Sequence, residues 1–118
     1  MATLSPTTPA HGLELVAAGA LLIDVRSDAG RAAAGTIPAA TVVAKTAVAQ
    51  RFALDSPDRI AAVTSFDTPI VVLCGSVLGS GPVAAQLIEL GFTDITHVDG
   101  GFPAWRDAGL PTEAPVTE

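Results

Sequence analysis

The residue best equipped for chemistry is Cys74, the single cysteine among 118 residues. It ends the apolar run Ile70-Val71-Val72-Leu73 and opens the stretch Gly75-Ser76-Val77-Leu78-Gly79-Ser80-Gly81-Pro82. A cysteine at a strand end, then a Gly/Ser loop, then a helix start, is an arrangement suited to anions. Small residues let the backbone curl, so that the amides of Gly75, Ser76, Val77, Leu78, Gly79 and Ser80 point inward, and the helix N-terminus adds partial positive charge. Both effects favour a thiolate, the nucleophilic form of cysteine. They equally favour a persulfide, whose outer sulfur carries the charge. The plain alternative is a small buried hydrophobe. Local sequence leaves the two readings about even, and the position at the strand end rather than inside it tips toward chemistry.

Other candidates are weaker. His97 and His11 invite a Cys–His pair, yet nothing in the sequence brings His97 to Cys74, so a structural or surface role is expected for both. Asp24 and Arg26, two apart at a strand end, can pair or tie down nearby loop amides. Trp105 and Phe102 read as packing for a C-terminal helix. No group of His, Cys, Asp and Glu has metal-ligand spacing, so no metal and no other cofactor is expected.

The elements that must position Cys74 follow from periodicity and punctuation. Thr8 caps a helix with Pro9 at its first position, running to Gly19. Leu21–Val25 is a strand-length apolar run, followed by a short helix over the Ala-rich Arg31–Ala34. Thr41–Val43 is a second strand. A helix lies around Thr46–Phe52, and Ser56-Pro57-Asp58 caps another short one. Pro69–Leu73 is continuous and apolar, as in a strand buried on both faces of a parallel sheet. Ser80-Gly81-Pro82 opens a helix with Val83, Leu87, Ile88 and Leu90 at helical spacing, stopped by Gly91. Asp94–Val98 is the last strand. Such alternation predicts an α/β domain, with ligands outside the carboxyl ends of the strands.

Composition narrows the function classes. Apolar residues make up 49% and charged residues 15%, a globular balance. Mean hydropathy is +0.51, yet the longest apolar stretches, Leu15–Ile23 and Ile70–Cys74, fall short of the roughly 18 to 20 residues that cross a bilayer. Six bases (Arg26, Arg31, Lys45, Arg51, Arg59 and Arg106) are scattered against twelve acids, for a net charge of −6. Neither nucleic acid nor an anionic membrane surface suits that distribution. A lone thiol and an N-terminus without signal-peptide features point to a reducing cytoplasm. One domain over 1–118 is expected, with about 1–5 and 112–118 as frayed ends.

Four segments, in order, resemble those of rhodanese domains. Leu22-Ile23-Asp24-Val25-Arg26-Ser27 is similar to their opening motif, and Gly35-Thr36-Ile37-Pro38-Ala39-Ala40 to their Gly-His-Ile-Pro-Gly-Ala. Val71-Val72-Leu73-Cys74 matches the strand bearing the active cysteine. Val98-Asp99-Gly100-Gly101-Phe102-Pro103-Ala104-Trp105, with Gly109 and Pro111, resembles the C-terminal signature. The resemblance implies a rhodanese-like α/β fold, with a central, mostly parallel five-stranded sheet flanked by helices on both faces. It also implies a sulfurtransferase mechanism. Cys74 takes the outer sulfur of a small-molecule or protein donor, holds it as a persulfide, and passes it to a thiophilic acceptor such as a thiol.

The chain departs from that family at the loop. Rhodanese loops commonly read Cys-Arg-Ser-Gly-Asn-Arg-Ser, whereas residues 75 to 79 here carry no charge. A charge-assisted hydrogen bond is worth about 1.5–3 kcal/mol, so thiosulfate should bind poorly unless a base arrives from elsewhere. Arg31 falls, counting back from Gly35, where some thiosulfate-using members carry arginine, although the segment before Gly35 is one residue longer than the common pattern. Lys45 follows the Thr41–Val43 strand. Both are possible substrate-binding residues, against the more ordinary reading of a solvated charge. The uncharged loop also keeps open a non-catalytic module for binding or redox sensing. A phosphatase would need arginine six positions after the cysteine, and position 80 is Ser80. Donor, acceptor and oligomeric state are not set by the sequence.

Overall fold

The structure, a computed structural model, describes residues 3–26, 35–37, 40–43, 45–61, 63–74, 77–110 and 112, with the backbone alone at 3–6, 45 and 77–81. In chain order the elements are β1 (Thr3–Thr7), α1 (Pro9–Ala17), β2 (Leu21–Asp24) and β3 (Thr41–Val42). A 3-10 turn (Lys45–Ala47) leads into α2 (Val48–Phe52). Then come β4 (Ile70–Leu73), α3 (Val77–Glu89), β5 (Asp94–Val98) and α4 (Gly101–Asp107). The strands form one five-stranded sheet in the order β1-β5-β4-β2-β3. Every strand pairing among the described residues is parallel.

β4 lies in the middle, and all four of its residues are buried. Its side chains alternate between two cores, as the pleat requires. Ile70, Val72 and Cys74 pack with Ile23, Val48, Phe52, Val83, Leu87 and Phe92 on the α2 and α3 side. Val71 and Leu73 pack with Leu22, Val98, Phe102 and Trp105 on the side of α1 and α4. A strand covered on both faces must read as a continuous apolar run, which is why Pro69–Leu73 announces itself in the sequence.

Local signals hold at several ends. The Thr8 side chain accepts a hydrogen bond from the His11 amide at 3.2 Å, and Pro9 stands at the first position of α1. Gly91, with φ +112°, ends α3. There the Gly91 amide donates to the Ile88 carbonyl and the Phe92 amide to the Leu87 carbonyl, the left-handed glycine termination. A side chain at Gly91 would also come within 3.0 Å of the Phe66 ring.

Three expectations change. The N-terminal stretch read as a frayed end at 1–5 instead contributes β1, which begins at Thr3 and pairs with β5 from Thr3–Asp94 to Thr7–Val98. The strand contains Pro6. An edge strand needs only half its amides, so a proline that supplies none is tolerated there. The helix expected after Ser56 is only a turn, in which the Ser56 Oγ accepts from the Asp58 amide at 3.2 Å. The helix expected to open at Ser80-Gly81-Pro82 starts earlier, at Val77, and contains Pro82. Proline there takes the donor from the Leu78 carbonyl and costs about 3 kcal/mol. Burial of Val83, Ala84 and Leu87 outweighs it, at about 1.5–3 kcal/mol for each of Val83 and Leu87. The expected helix over Arg31–Ala34 lies outside the described residues, as does 112–118 apart from Thr112.

Gly91→Ala should lower stability more than Gly19→Ala. Both positions have positive φ, near +112° and +116°, and share the backbone cost of roughly 1–2 kcal/mol, but the space around Gly19 is open. Urea unfolding of the two variants gives the difference, and equal losses would mean that Phe66 yields freely.

Candidate functional site

Because the strands are parallel, their carboxyl ends share one edge of the sheet. Asp24 at the end of β2 with Arg26 just beyond it, Cys74 after β4, and Gly101–Phe102 after β5 converge there. Lys45 opens the 3-10 turn beyond β3 at the same edge. Cys74 is a free, buried thiol, 5% exposed. It sits one residue past the last residue of β4 and three before the first residue of α3.

The backbone of Cys74 is held by the neighbouring helix. The Phe102 amide donates to the Cys74 carbonyl at 2.7 Å, so the cysteine carbonyl fills one of the first-turn donors that α4 leaves open. The turn that delivers this amide needs two consecutive left-handed residues, Gly100 at φ +79° and Gly101 at φ +63°. A Cβ on Gly100 would also meet the Ala104 Cβ at 2.7 Å. The Gly-Gly pair is therefore a geometric requirement of the approach.

Beneath this lies a buried ion pair. Asp24 is 1% and Arg26 6% exposed. Arg26 Nη2 donates to Asp24 Oδ2 at 2.7 Å, and Nε donates to both carboxylate oxygens at 3.0 and 3.1 Å. The Arg26 amide donates to Asp24 Oδ1 at 3.0 Å. Nη2 also donates to the Gly35 carbonyl at 2.8 Å. The face of the guanidinium lies 3.9 Å from the centroid of the Phe102 ring, a cation–π contact worth about 2 kcal/mol when desolvated. One arginine thus joins β2, the Gly35-Thr36-Ile37 segment and α4, and α4 holds Cys74.

The sequence-derived site residues divide as follows. Cys74 stands at the sheet edge as expected. Val77, Leu78, Gly79 and Ser80, read as loop, form the first turn of α3. Their backbone amides therefore belong to a helix N-terminus, where the first four lack intrahelical acceptors. Gly75, Ser76 and Arg31 lie outside the described residues. His97 is a buried residue of β5, in register with Val72. His11 is exposed beside Glu14 at 3.4 Å. Phe102 and Trp105 are buried packing residues, but Phe102 has a second role that packing does not describe. Its signal was the preceding Gly100-Gly101, which forces the chain to double back toward Cys74. Among the described residues no His, Cys, Asp and Glu cluster could hold a metal, and no helix is long and apolar enough to cross a membrane.

A parallel α/β sheet with a cysteine at its carboxyl edge, three residues before a helix, defines a class of thiol-bearing domains. Within that class, the family model for the rhodanese-like domain matches residues 8–108, and the chain belongs to the rhodanese-like family. Thiosulfate sulfurtransferase GlpE of Haemophilus influenzae is 30% identical over 117 residues, covering 90% of this chain and 91% of that protein. The protein of the same name from Vibrio cholerae is 45% identical over 49 residues, 42% of this chain and 46% of that relative. That match spans a little under half of the relative's length. Among solved structures, a Rhodopseudomonas palustris protein of unknown function, described as a possible tyrosine phosphatase, superposes with a TM-score of 0.81 at 26% identity. It covers 93% of this chain and 85% of that one. A thiosulfate sulfurtransferase from Pseudomonas aeruginosa gives a TM-score of 0.73 at 25% identity, with 96% of this chain and 20% of that one.

Asp24→Asn should cost about 3–5 kcal/mol, because it leaves the Arg26 guanidinium buried without its carboxylate. Urea unfolding measures this, and a loss under about 1 kcal/mol, the level of an exposed pair, would mean that the pair is not the tie described.

Proposed function

We propose that this protein is a sulfurtransferase that carries sulfane sulfur as a persulfide on Cys74, with a preference for thiol-based donors over thiosulfate. The observation that carries the reading is the placement of a free Cys74 at the carboxyl edge of β4, three residues before α3, in a chain of the rhodanese-like family.

The Cys74 thiolate attacks the outer sulfur of a persulfide donor. The donor's S–S bond breaks, its inner sulfur leaves as a thiolate, and a new S–S bond forms on Cys74. A thiol acceptor, as thiolate, then attacks that outer sulfur and releases Cys74 as thiolate. Sulfur changes hands without an external oxidant or reductant, and one cysteine is enough. Negative charge develops on the outer sulfur in the loaded state, and first-turn amides of α3 with the helix dipole are suited to hold it. A cytoplasmic, reducing setting fits a lone exchangeable thiol.

The donor preference rests on residues 75 to 79, which supply no cation. Thiosulfate carries two charges that a neutral loop meets with amides alone, whereas a glutathione persulfide presents its reacting sulfur without that demand. Arg31 and Lys45 are the candidates to restore an anion grip.

The uncharged loop also favours a second reading, a rhodanese-like module that binds or senses through the same thiol without turnover. Intact-mass spectrometry separates the two. Incubation with glutathione persulfide should add the mass of one sulfur atom to the wild type and none to Cys74→Ser, and no gain in the wild type would transfer the case to the binding module.

Gly75→Arg should raise sulfur uptake from thiosulfate about tenfold or more, the value of one charge-assisted hydrogen bond, while leaving uptake from glutathione persulfide within about twofold. Parallel time courses with both donors test it. An equal effect on both donors would mean that loop charge does not set the preference.

A further inference from the structure

Cys74 and Phe102 lie on opposite faces of the sheet. The cysteine side chain belongs to the core under α2 and α3, and the Phe102 ring to the core under α1 and α4. They nevertheless share the 2.7 Å hydrogen bond from the Phe102 amide to the Cys74 carbonyl. The neighbouring backbone is fixed by the sheet, since the Val25 amide donates to the Leu73 carbonyl at 2.9 Å. Beyond that bond β4 ends. The next carbonyl is the one that α4 takes.

A peptide group is planar, so a hydrogen bond that fixes the Cys74 carbonyl fixes the plane of the peptide leaving the cysteine. The plane contains the Cα that bears the thiol, so it constrains the direction in which the cysteine side chain leaves the backbone. The Phe102 amide is in turn located by its ring, which is buried and seated 3.9 Å from the Arg26 guanidinium. Arg26 cannot shift without losing its bonds to Asp24 and Gly35.

We propose that Phe102 is a positioning residue for Cys74: its amide sets the peptide that leaves the cysteine, and its ring, seated against Arg26, sets the amide. The functional meaning rests on the sulfur-carrier reading, but the mechanical coupling does not. Phe102 reaches the reacting sulfur only through the backbone. Its loss should therefore slow transfer at saturating donor without weakening donor binding.

The test compares wild type, Phe102→Leu and Leu22→Val in sulfur uptake from glutathione persulfide and in carbamidomethylation of Cys74 by iodoacetamide. Leu22 is buried in the same core as Phe102 but makes no such bond, so it reports packing loss alone. Phe102→Leu should lower kcat for uptake about tenfold, the scale of a sub-ångström misplacement, with KM within about twofold. Leu22→Val should leave both near wild type. A kcat for Phe102→Leu within twofold of Leu22→Val would overturn the proposal while leaving the sulfur-carrier reading intact. If the wild type takes up no sulfur, that reading fails, and the alkylation rates decide the coupling: a several-fold difference between the two variants upholds it, and equal rates overturn it. Should Phe102→Leu not fold, the wild type decides by NMR. The Phe102 amide resonance should move when Cys74 is alkylated while the Leu22 amide stays, and an unmoved Phe102 amide would refute the coupling.

Discussion

The structure depends on one buried charge. Removing a guanidinium from water costs several kcal/mol, and that cost is recovered only when its hydrogen-bonding directions are filled and a carboxylate is held against it. Arg26 meets much of that demand through Nε and Nη2, which donate to Asp24 and to the Gly35 carbonyl, and through the face of Phe102. Each partner comes from a different part of the chain, so none can drift without leaving a buried charge less well compensated. An apolar residue in place of Arg26 could fill the volume, but it would not fix three segments in direction. The gain is specificity of arrangement, since hydrogen bonds carry angles that hydrophobic contacts lack.

This explains why four sequence segments that are weak singly are informative together. Asp24-Val25-Arg26, Gly35-Thr36-Ile37, the Cys74 strand and Gly100-Gly101-Phe102 are consecutive links in one set of contacts. Arg26 binds the second segment through its carbonyl and the fourth through its ring, and the fourth binds the third through its amide. Cys74 is the last link. The cation–π contact and the two left-handed glycines serve the same end: they bring a helix amide to a carbonyl that the sheet has left open.

The fold was legible where a physical requirement leaves a pattern in residue types. β4 is buried on both faces and must be continuously apolar. α1 carries its cap and its first-position proline in the sequence, and Gly91 marks the left-handed end of α3. What escaped was what tertiary contact decides. β1 carries a proline and gains its identity only from pairing with β5, so no local signal separates it from a loose end. Pro82 is a good helix opener taken alone, yet three buried side chains beyond it are enough to support a helix that passes through it. Ser56-Pro57-Asp58 has the residues of a cap but no apolar face to follow, and it remains a turn. Around the sheet edge, Cys74 was singled out from its setting, whereas Phe102 was read only as packing: its backbone hydrogen bond leaves no trace in its own residue type, and the one signal lay in Gly100-Gly101.

The division between frame and loop bears on how chemistry is assigned in this family. The frame, from Asp24 to Phe102, fixes where the cysteine sits and how its backbone is held, and does so without reference to the substrate. The residues after the cysteine are where this chain departs from the common loop of the family, with no charge from 75 to 79. A solved structure of the same fold is described as a possible tyrosine phosphatase, yet a shared frame does not carry an activity with it. Holding a phosphoryl group calls for a forked cation opposite the thiolate, and position 80 here is Ser80. A sulfane sulfur asks for less, since its charge is single, diffuse and borne on one polarizable atom. Backbone amides at a helix start can meet that demand, and the glycine, serine and aliphatic side chains of residues 75 to 80 add no charge to it. The absence of charge from residue 75 to residue 79 is therefore the feature on which the proposed preference for thiol-borne sulfur over thiosulfate rests.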